Sequence, residues 1–423
     1  MKIAIIGAGI SGLVAAYRLQ KHHQIDIFEA NSYVGGHTNT IAVQEKNNEL
    51  AVDTGFIVFN DRTYPNFIKL LAEWGVEYQK TLMSFSVKCD RTGLEYRGAD
   101  FNGLFAQRTN LFNPKFLRLL YDLVRFKKIA NPLLRDQDNV ETVGSFLHRH
   151  GFSEPFIEQY FLPMGSAIWS CPTGTFMDFP IAFITEFYHN HGLLGVSDRP
   201  QWYVIKGGSK QYVVKLLQQL DANIRTDYAI QKVTRAGDSV ELHVADSVHR
   251  YDHVVMACHA DQALDLLHGS ATEIEREILS AFPYGKNIAT LHTQSDVLPK
   301  NRRAWAAWNY HRGLVERDQA SVTYNMNILQ GIRSNKTYCV TLNDSGSILE
   351  QNIIRQIPYA HPIFNVRRKA MQKRHHELVG HQKISYCGAY WGNGFHEDGV
   401  VSGLAVADSL LNNKPDEAVV ERV

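Results

Sequence analysis

The chain opens with Lys2-Ile3-Ala4-Ile5-Ile6-Gly7-Ala8-Gly9-Ile10-Ser11-Gly12, a β-branched run that ends in three glycines spaced G-x-G-x-x-G. The apolar run predicts a buried strand, and the residues after Gly12 predict a helix. In that helix Leu13, Ala16 and Leu19 fall on one face, with Arg18, Gln20 and Lys21 opposite, and Ala15 and Ala16 are small enough for close packing on a sheet. A second apolar run, Ile25 to Phe28, predicts the next strand and stops at Glu29, 22 residues after Gly7. Strand, glycine turn, helix, strand and terminal acid together predict a dinucleotide-binding βαβ unit. Glycine lets the backbone approach a pyrophosphate at the positive end of a helix, and the acid accepts hydrogen bonds from ribose hydroxyls.

Working outward, 423 residues make roughly two to three average domains, enough for a large core without staples. Lys plus Arg (44) nearly cancels Asp plus Glu (43), so the basic footprint of a nucleic-acid binder is missing. Cys89, Cys171, Cys258, Cys339 and Cys387 are scattered and include no CxxC pair, so neither a disulfide framework nor a metal site is expected. No stretch approaches the ~18 apolar residues of a membrane span, and the first residues do not read as an export signal. A cytoplasmic protein is expected, with peripheral contact at the inner membrane as an alternative.

Beyond residue 60 the pattern turns helical. Thr63 to Trp74, Lys115 to Ile129, Val140 to His150 and Glu154 to Met164 predict helices of an insert. In Lys115 to Ile129, Phe116, Leu119, Leu120 and Leu123 oppose Arg118, Arg125 and Lys128, which fits a surface helix on a core or a basic amphipathic helix on lipid headgroups. Strands return at Asn223 to Ile230, Gln231 to Arg235, Val240 to Val244 and His253 to Ala257, then at Ile288 to Thr293, Ser321 to Met326 and Thr337 to Thr341. A last strand, Ile384 to Cys387, precedes a helix over Gly399 to Leu411, and the tail after Lys414 reads as loose.

Glu29-Ala30 leads to a second glycine pair, Gly35-Gly36-His37-Thr38, and then to Ala51-Val52-Asp53-Thr54-Gly55-Phe56. The far end carries Tyr386-Cys387-Gly388-Ala389-Tyr390-Trp391-Gly392-Asn393-Gly394-Phe395-His396-Glu397-Asp398-Gly399, followed by Val400. These stretches resemble the FAD-dependent amine-oxidase superfamily, with its glutathione-reductase type of FAD fold. The GGHTNT and GFHEDG strings resemble a bacterial branch of it, kin to the flavoprotein half of plant cyclopropane fatty-acid synthases. The resemblance implies FAD as cofactor, held by Gly7, Gly9, Ile10, Ser11, Gly12, Glu29, Ala30, Gly35, Gly36, His37, Thr38, Thr54 and Gly55. It further implies Val233 beside the adenine, Ala257 and Cys258 beneath the pyrophosphate, and Gly388, Gly399 and Val400 at a loop and helix that close the flavin site. His37 stands where amine oxidases commonly carry arginine, as a cofactor contact or an ordinary loop histidine.

His396 and Glu397 are the candidate catalytic polar groups near the flavin ring, or else members of a hydrogen-bonded turn, and Asp398 is a candidate helix N-cap. The amine-oxidase lysine registers on Ala289, with Lys286 three residues earlier, so that lysine looks absent. Trp305, Trp308, Tyr310, Tyr324, Tyr390 and Trp391 are pocket candidates or core residues. The expected fold class is α/β: a Rossmann-like FAD domain from residues 1–60, 203–270 and 380–415, and a discontinuous α+β substrate domain from 61–202 and 271–379. The expected function is hydride transfer from an apolar or lipid-linked small molecule to flavin N5, with oxygen or another electron acceptor. The alternatives are an amine oxidase, a flavin-dependent double-bond isomerase, and a lipid-delivery subunit for a methyltransferase partner.

Overall fold

The computed structural model describes residues 1–412 except 47, 137–138, 170–171, 195–198, 246, 315–320 and 345, so the tail after Lys414 lies outside the described residues. Its organising element is a five-stranded parallel sheet in the order Asn223–Arg225, Gln24–Phe28, Lys2–Ile6, His253–Met256, Ile384–Tyr386. Three distant stretches of chain thus meet in one sheet. Side chains alternate across a strand, and Lys2–Ile6 shows why the run is apolar throughout. Ile3 and Ile5 join a core with Leu13, Ile25, Val255 and Val400, whereas Ala4 and Ile6 join one with Phe28, Val254, Leu242 and Ile278. Both faces are covered.

On the first face lie the helices Ile10–Leu19 and His396–Asn412, packed against each other. A Cβ on Gly403 would sit 2.5 Å from the carbonyl oxygen of Ser11, so the two helices touch through backbone. The opposite face carries the helices Ala260–Leu267 and Glu273–Leu279 and a three-stranded antiparallel sheet over Lys232–Tyr251. A seven-stranded sheet, built mainly from strands between Tyr284 and Pro362 with Phe85–Cys89 and Leu94–Arg97 at one edge, forms a second layer. The helical insert has its own phenylalanine-rich core, with Phe126, Phe146, Phe156, Phe161 and Phe176 all buried.

Several element boundaries differ from expectation, among them the following three. The strand expected over Asn223 to Ile230 ends at Arg225: Asp227 turns left-handed (φ 52°), and the amide of Tyr228 donates to the carbonyl of Glu29 at 2.9 Å, folding the chain over the tip of the sheet. The helix expected to stop at Met164 runs on to Trp169 through a wider turn at Ile157–Phe161. The closing helix begins at His396, three residues before the expected Gly399. Among the described residues no helix is long and apolar enough to cross a membrane.

Candidate functional site

At the first turn, Gly7 has φ +107°, and a Cβ there would lie 2.8 Å from the carbonyl oxygen of Ala257. Only glycine fits that turn. Gly9 differs: its φ is −75°, and a Cβ would meet nothing within 4 Å. Its missing side chain leaves room beside the first amides of helix Ile10–Leu19, which have no partner inside the helix and carry the positive end of its dipole. The second glycine pair is brought against this turn. The Gly35 amide donates to the Ala8 carbonyl at 2.9 Å, and a Cβ on Gly36 would lie 3.2 Å from the Cα of Gly9.

Glu29 fixes the far side of the turn. One carboxylate oxygen accepts from the Ala8 amide at 2.9 Å, and the other accepts from the Asn31 amide at 2.9 Å and its Nδ2 at 2.8 Å. A carboxylate offers about four acceptor positions, so capacity remains for a diol. These residues border a continuous cavity of about 2010 Å³, beyond the ~300–1,000 Å³ of an ordinary ligand pocket. It has room for a dinucleotide and a second molecule.

Gly7, Gly9, Ile10, Ser11, Glu29, Ala30, Gly35, Gly36, His37, Thr54, Gly55, Ala257, Cys258, Gly388 and His396 all line this cavity. Gly12, Thr38, Val233, Glu397, Gly399 and Val400 do not. Gly12 lies under the turn, where a Cβ would be 2.1 Å from the Gly7 carbonyl oxygen. Thr38 sits behind the wall with its hydroxyl 2.6 Å from that of Tyr212. Val233 is wholly buried in the three-stranded sheet, and the wall there is Tyr228 to Gln231, because the chain bends at Asp227. Gly399 and Val400 face the first helix and the core.

The two catalytic candidates separate. His396 lines the cavity, stacks on Phe56 at 3.7 Å between ring centroids, and places Nε2 2.8 Å from the Tyr212 hydroxyl. Burial pushes its pKa down to about 3, so the ring is neutral. Glu397 points the other way. Its carboxylate accepts from the Asn66 amide at 3.0 Å, the Asn66 Nδ2 at 2.8 Å and the Phe67 amide at 2.9 Å, capping the helix Pro65–Trp74. The structure thus places the Glu397 carboxylate at that helix end and not on the cavity wall. Glu397→Ala, which strands buried amides, is expected to cost about 1–3 kcal/mol in a urea titration. Glu397→Gln is expected to leave flavin reduction within about twofold, because the amide oxygen still accepts. Asp398 is not the N-cap. It lies in the first turn of the closing helix and accepts from the Phe395 amide at 2.8 Å.

On the strand Tyr284–His292, Ala289 is fully buried, whereas the exposed Lys286 lines the cavity. Of the pocket aromatics, Trp308, Tyr324 and Tyr390 line the cavity. Trp305 instead donates its indole N–H to the Pro299 carbonyl at 2.8 Å, Tyr310 is in the core, and Trp391 stacks on His375 at 4.1 Å. Sequence reading missed a cluster around His37. His37 stacks on Tyr359 at 4.9 Å, with His361 at 5.5 Å and His259 at 6.1 Å, all on the cavity wall. The Tyr-x-His alternation at 359 and 361 was the available signal, since alternate strand residues share a face.

The residues fit a flavin dinucleotide. Glycines clear the backbone where a pyrophosphate lies, Glu29 is placed for ribose hydroxyls, and the buried Nε2 of His37 has no partner among the described residues.

Comparison with known proteins agrees. The family profile described as flavin containing amine oxidoreductase matches residues 10–286. A zeta-carotene desaturase of Solanum lycopersicum is 26% identical over 170 residues, a match that spans 36% of this chain and 28% of that enzyme. Cyclohexylamine oxidase from Brevibacterium oxydans IH-35A superposes with a TM-score of 0.69 at 16% identity, covering 97% of this chain and 99% of that one. A CLA-producing fatty acid isomerase from P. acnes superposes with a TM-score of 0.66 at 16% identity, covering 97% and 98%. At such identities the superpositions speak to the fold.

Proposed function

The chain belongs to the flavin containing amine oxidoreductase family and is an FAD-dependent oxidoreductase, and from that premise we propose that its substrate is an apolar or lipid-linked molecule. One observation carries this reading: past the dinucleotide cradle the cavity continues as an apolar channel walled by Met83, Phe85, Leu120, Leu123, Tyr160 and Ile168. Its lining carboxylates are Glu29 at the glycine turn, Asp265 on the helix after Cys258, and Asp100, which Arg97 engages. Among the described residues Glu29 and Asp100 are already engaged, which leaves Asp265, on the helix Ala260–Leu267, as the lining carboxylate that an amine substrate would have to use.

Bound FAD supplies a two-electron acceptor that takes hydride from a substrate C–H bond. The chain's own part is to position and to exclude water. The channel replaces the hydration of an acyl-like chain with aliphatic and aromatic contacts and limits the orientations of its reactive carbon. The N-terminus of the closing helix reaches the cavity at Phe395 and His396, directing its dipole at whatever negative charge develops there. The Tyr212 hydroxyl and the Phe56 ring hold the neutral His396 in one orientation.

The test is anaerobic titration of the FAD-loaded protein with polarity-fractionated lipid extracts and, separately, with primary amines, following the visible flavin band. An apolar fraction is expected to bleach it and yield a product two hydrogens lighter. Bleaching by amines alone, with ammonia and peroxide released on aeration, would overturn the reading. A product of unchanged mass would replace it with isomerisation.

A further inference from the structure

We propose that the mouth of the apolar channel docks on an anionic lipid surface, from which substrate enters directly. This deepens the proposed function but stands on separate observations.

The helix Pro114–Ala130 buries Phe116, Leu119, Phe126 and Ala130 against the body of the protein. An ordinary surface helix is polar on its other side. Here Leu117, Tyr121 and Val124 are 44, 60 and 69% exposed and fall at i, i+4 and i+7, one stripe facing solvent. The preceding turn adds Phe112, 86% exposed. Phe101 and Leu82, from two other segments, are 66 and 73% exposed and line the cavity together with Val124 and Lys127. Exposed apolar side chains are normally scattered singly, whereas Leu82, Phe101 and Val124 border the cavity together and Tyr121 and Leu117 continue the stripe from Val124 along the helix.

Charge selects the occupant. The helix carries Lys115, Arg118, Arg125, Lys127 and Lys128 against one acid, Asp122, which is fully buried and already engaged by Arg118 and Arg125. Lys128 continues the exposed stripe one turn beyond Val124, and Lys127 stands at the mouth. Apolar side chains beside Lys115, Lys127 and Lys128, which form no ion pair among the described residues, suit a surface of acyl chains under anionic headgroups. A second copy of this chain would bring two basic helices together, which like charge opposes.

The test is flotation of the FAD-loaded protein with vesicles of phosphatidylcholine and of an equal mixture of phosphatidylcholine and phosphatidylglycerol. Binding at low salt is expected to be at least about tenfold stronger on the mixture and to weaken as salt is added. Phe112→Glu with Tyr121→Glu is expected to abolish binding, and Lys115→Glu with Lys128→Glu to remove the preference for the anionic vesicles. All variants keep the flavin spectrum, since none of the four residues lines the cavity. Absence of binding to either vesicle, binding that the Glu variants retain, or a dimer that Phe112→Glu dissolves would each overturn the proposal. Flavin bleaching by apolar substrates in detergent needs no bilayer. Its loss would strike the proposed function alone, and its persistence without vesicle binding would strike the docking alone.

Discussion

Gly9→Val is expected to give a folded, colourless protein. Gly9 has φ −75° and ψ 178°, an extended conformation in which valine is comfortable, and its Cβ would touch no protein atom within 4 Å. The branched side chain would instead fill the cavity beside the first amides of helix Ile10–Leu19, where the structure leaves space for a pyrophosphate. Overfilling a fitted site costs about 1–3 kcal/mol or more, so FAD affinity should fall by about fivefold to over 100-fold. Flavin content after purification and a fluorescence titration with FAD measure this, with the urea midpoint as control. A yellow Gly9→Val protein with undiminished flavin would refute the cradle. Gly7→Val makes the contrast: at φ +107° and against the Ala257 carbonyl, it should destabilise the turn itself.

Mild acid is expected to unfold the protein. His191, His253, His292 and His396 are almost wholly buried, and burial pushes their pKa values to about 4, 4, 4 and 3. An unfolded histidine titrates near 6.5, so between about pH 6.5 and 4 the unfolded chain binds protons that the native rings refuse. Their stability is therefore present above pH 6.5 and lost as pH falls. Asp53 and Asp398 oppose this: burial raises both to about 6, so the native carboxyls take up protons that the unfolded ones do not. Four rings against two carboxyls leave about two protons in favour of the unfolded chain near pH 5.5, or about 3 kcal/mol lost per pH unit. His259, His361 and His375 shift in the same direction as the other rings and add to the loss. Urea midpoints at pH 7.5, 6.0 and 5.0 check the slope. A midpoint that is flat or rises toward pH 5 would contradict the neutral buried rings.

Much of the cofactor cradle was legible in the chain because it is local. Gly7, Gly9 and Glu29 act within one βαβ unit, and the two glycine turns lie close in sequence. The substrate end was poorly legible because its residues come from many elements. Trp305 and Trp308 are three residues apart in one aromatic run, yet only Trp308 reaches the cavity, since a local turn spends the Trp305 indole on Pro299. His396 and Glu397 are adjacent, and successive helical residues diverge by roughly 100°, so one meets the cavity and the other a neighbouring helix end.

By itself, then, the amino-acid order determined the first two strands, the glycine turn between them, the acid at the second strand and a dinucleotide site, since each depends on backbone conformation and spacing within a few turns of chain, while the flavin came from the resemblance of the later motifs to a known family. Only the tertiary structure decided which polar groups face the cavity, that Lys286 rather than Ala289 is on its wall, and that Leu117, Tyr121 and Val124 meet solvent. Those outcomes depend on which face of each element the rest of the molecule covers, and that is settled by packing between segments hundreds of residues apart.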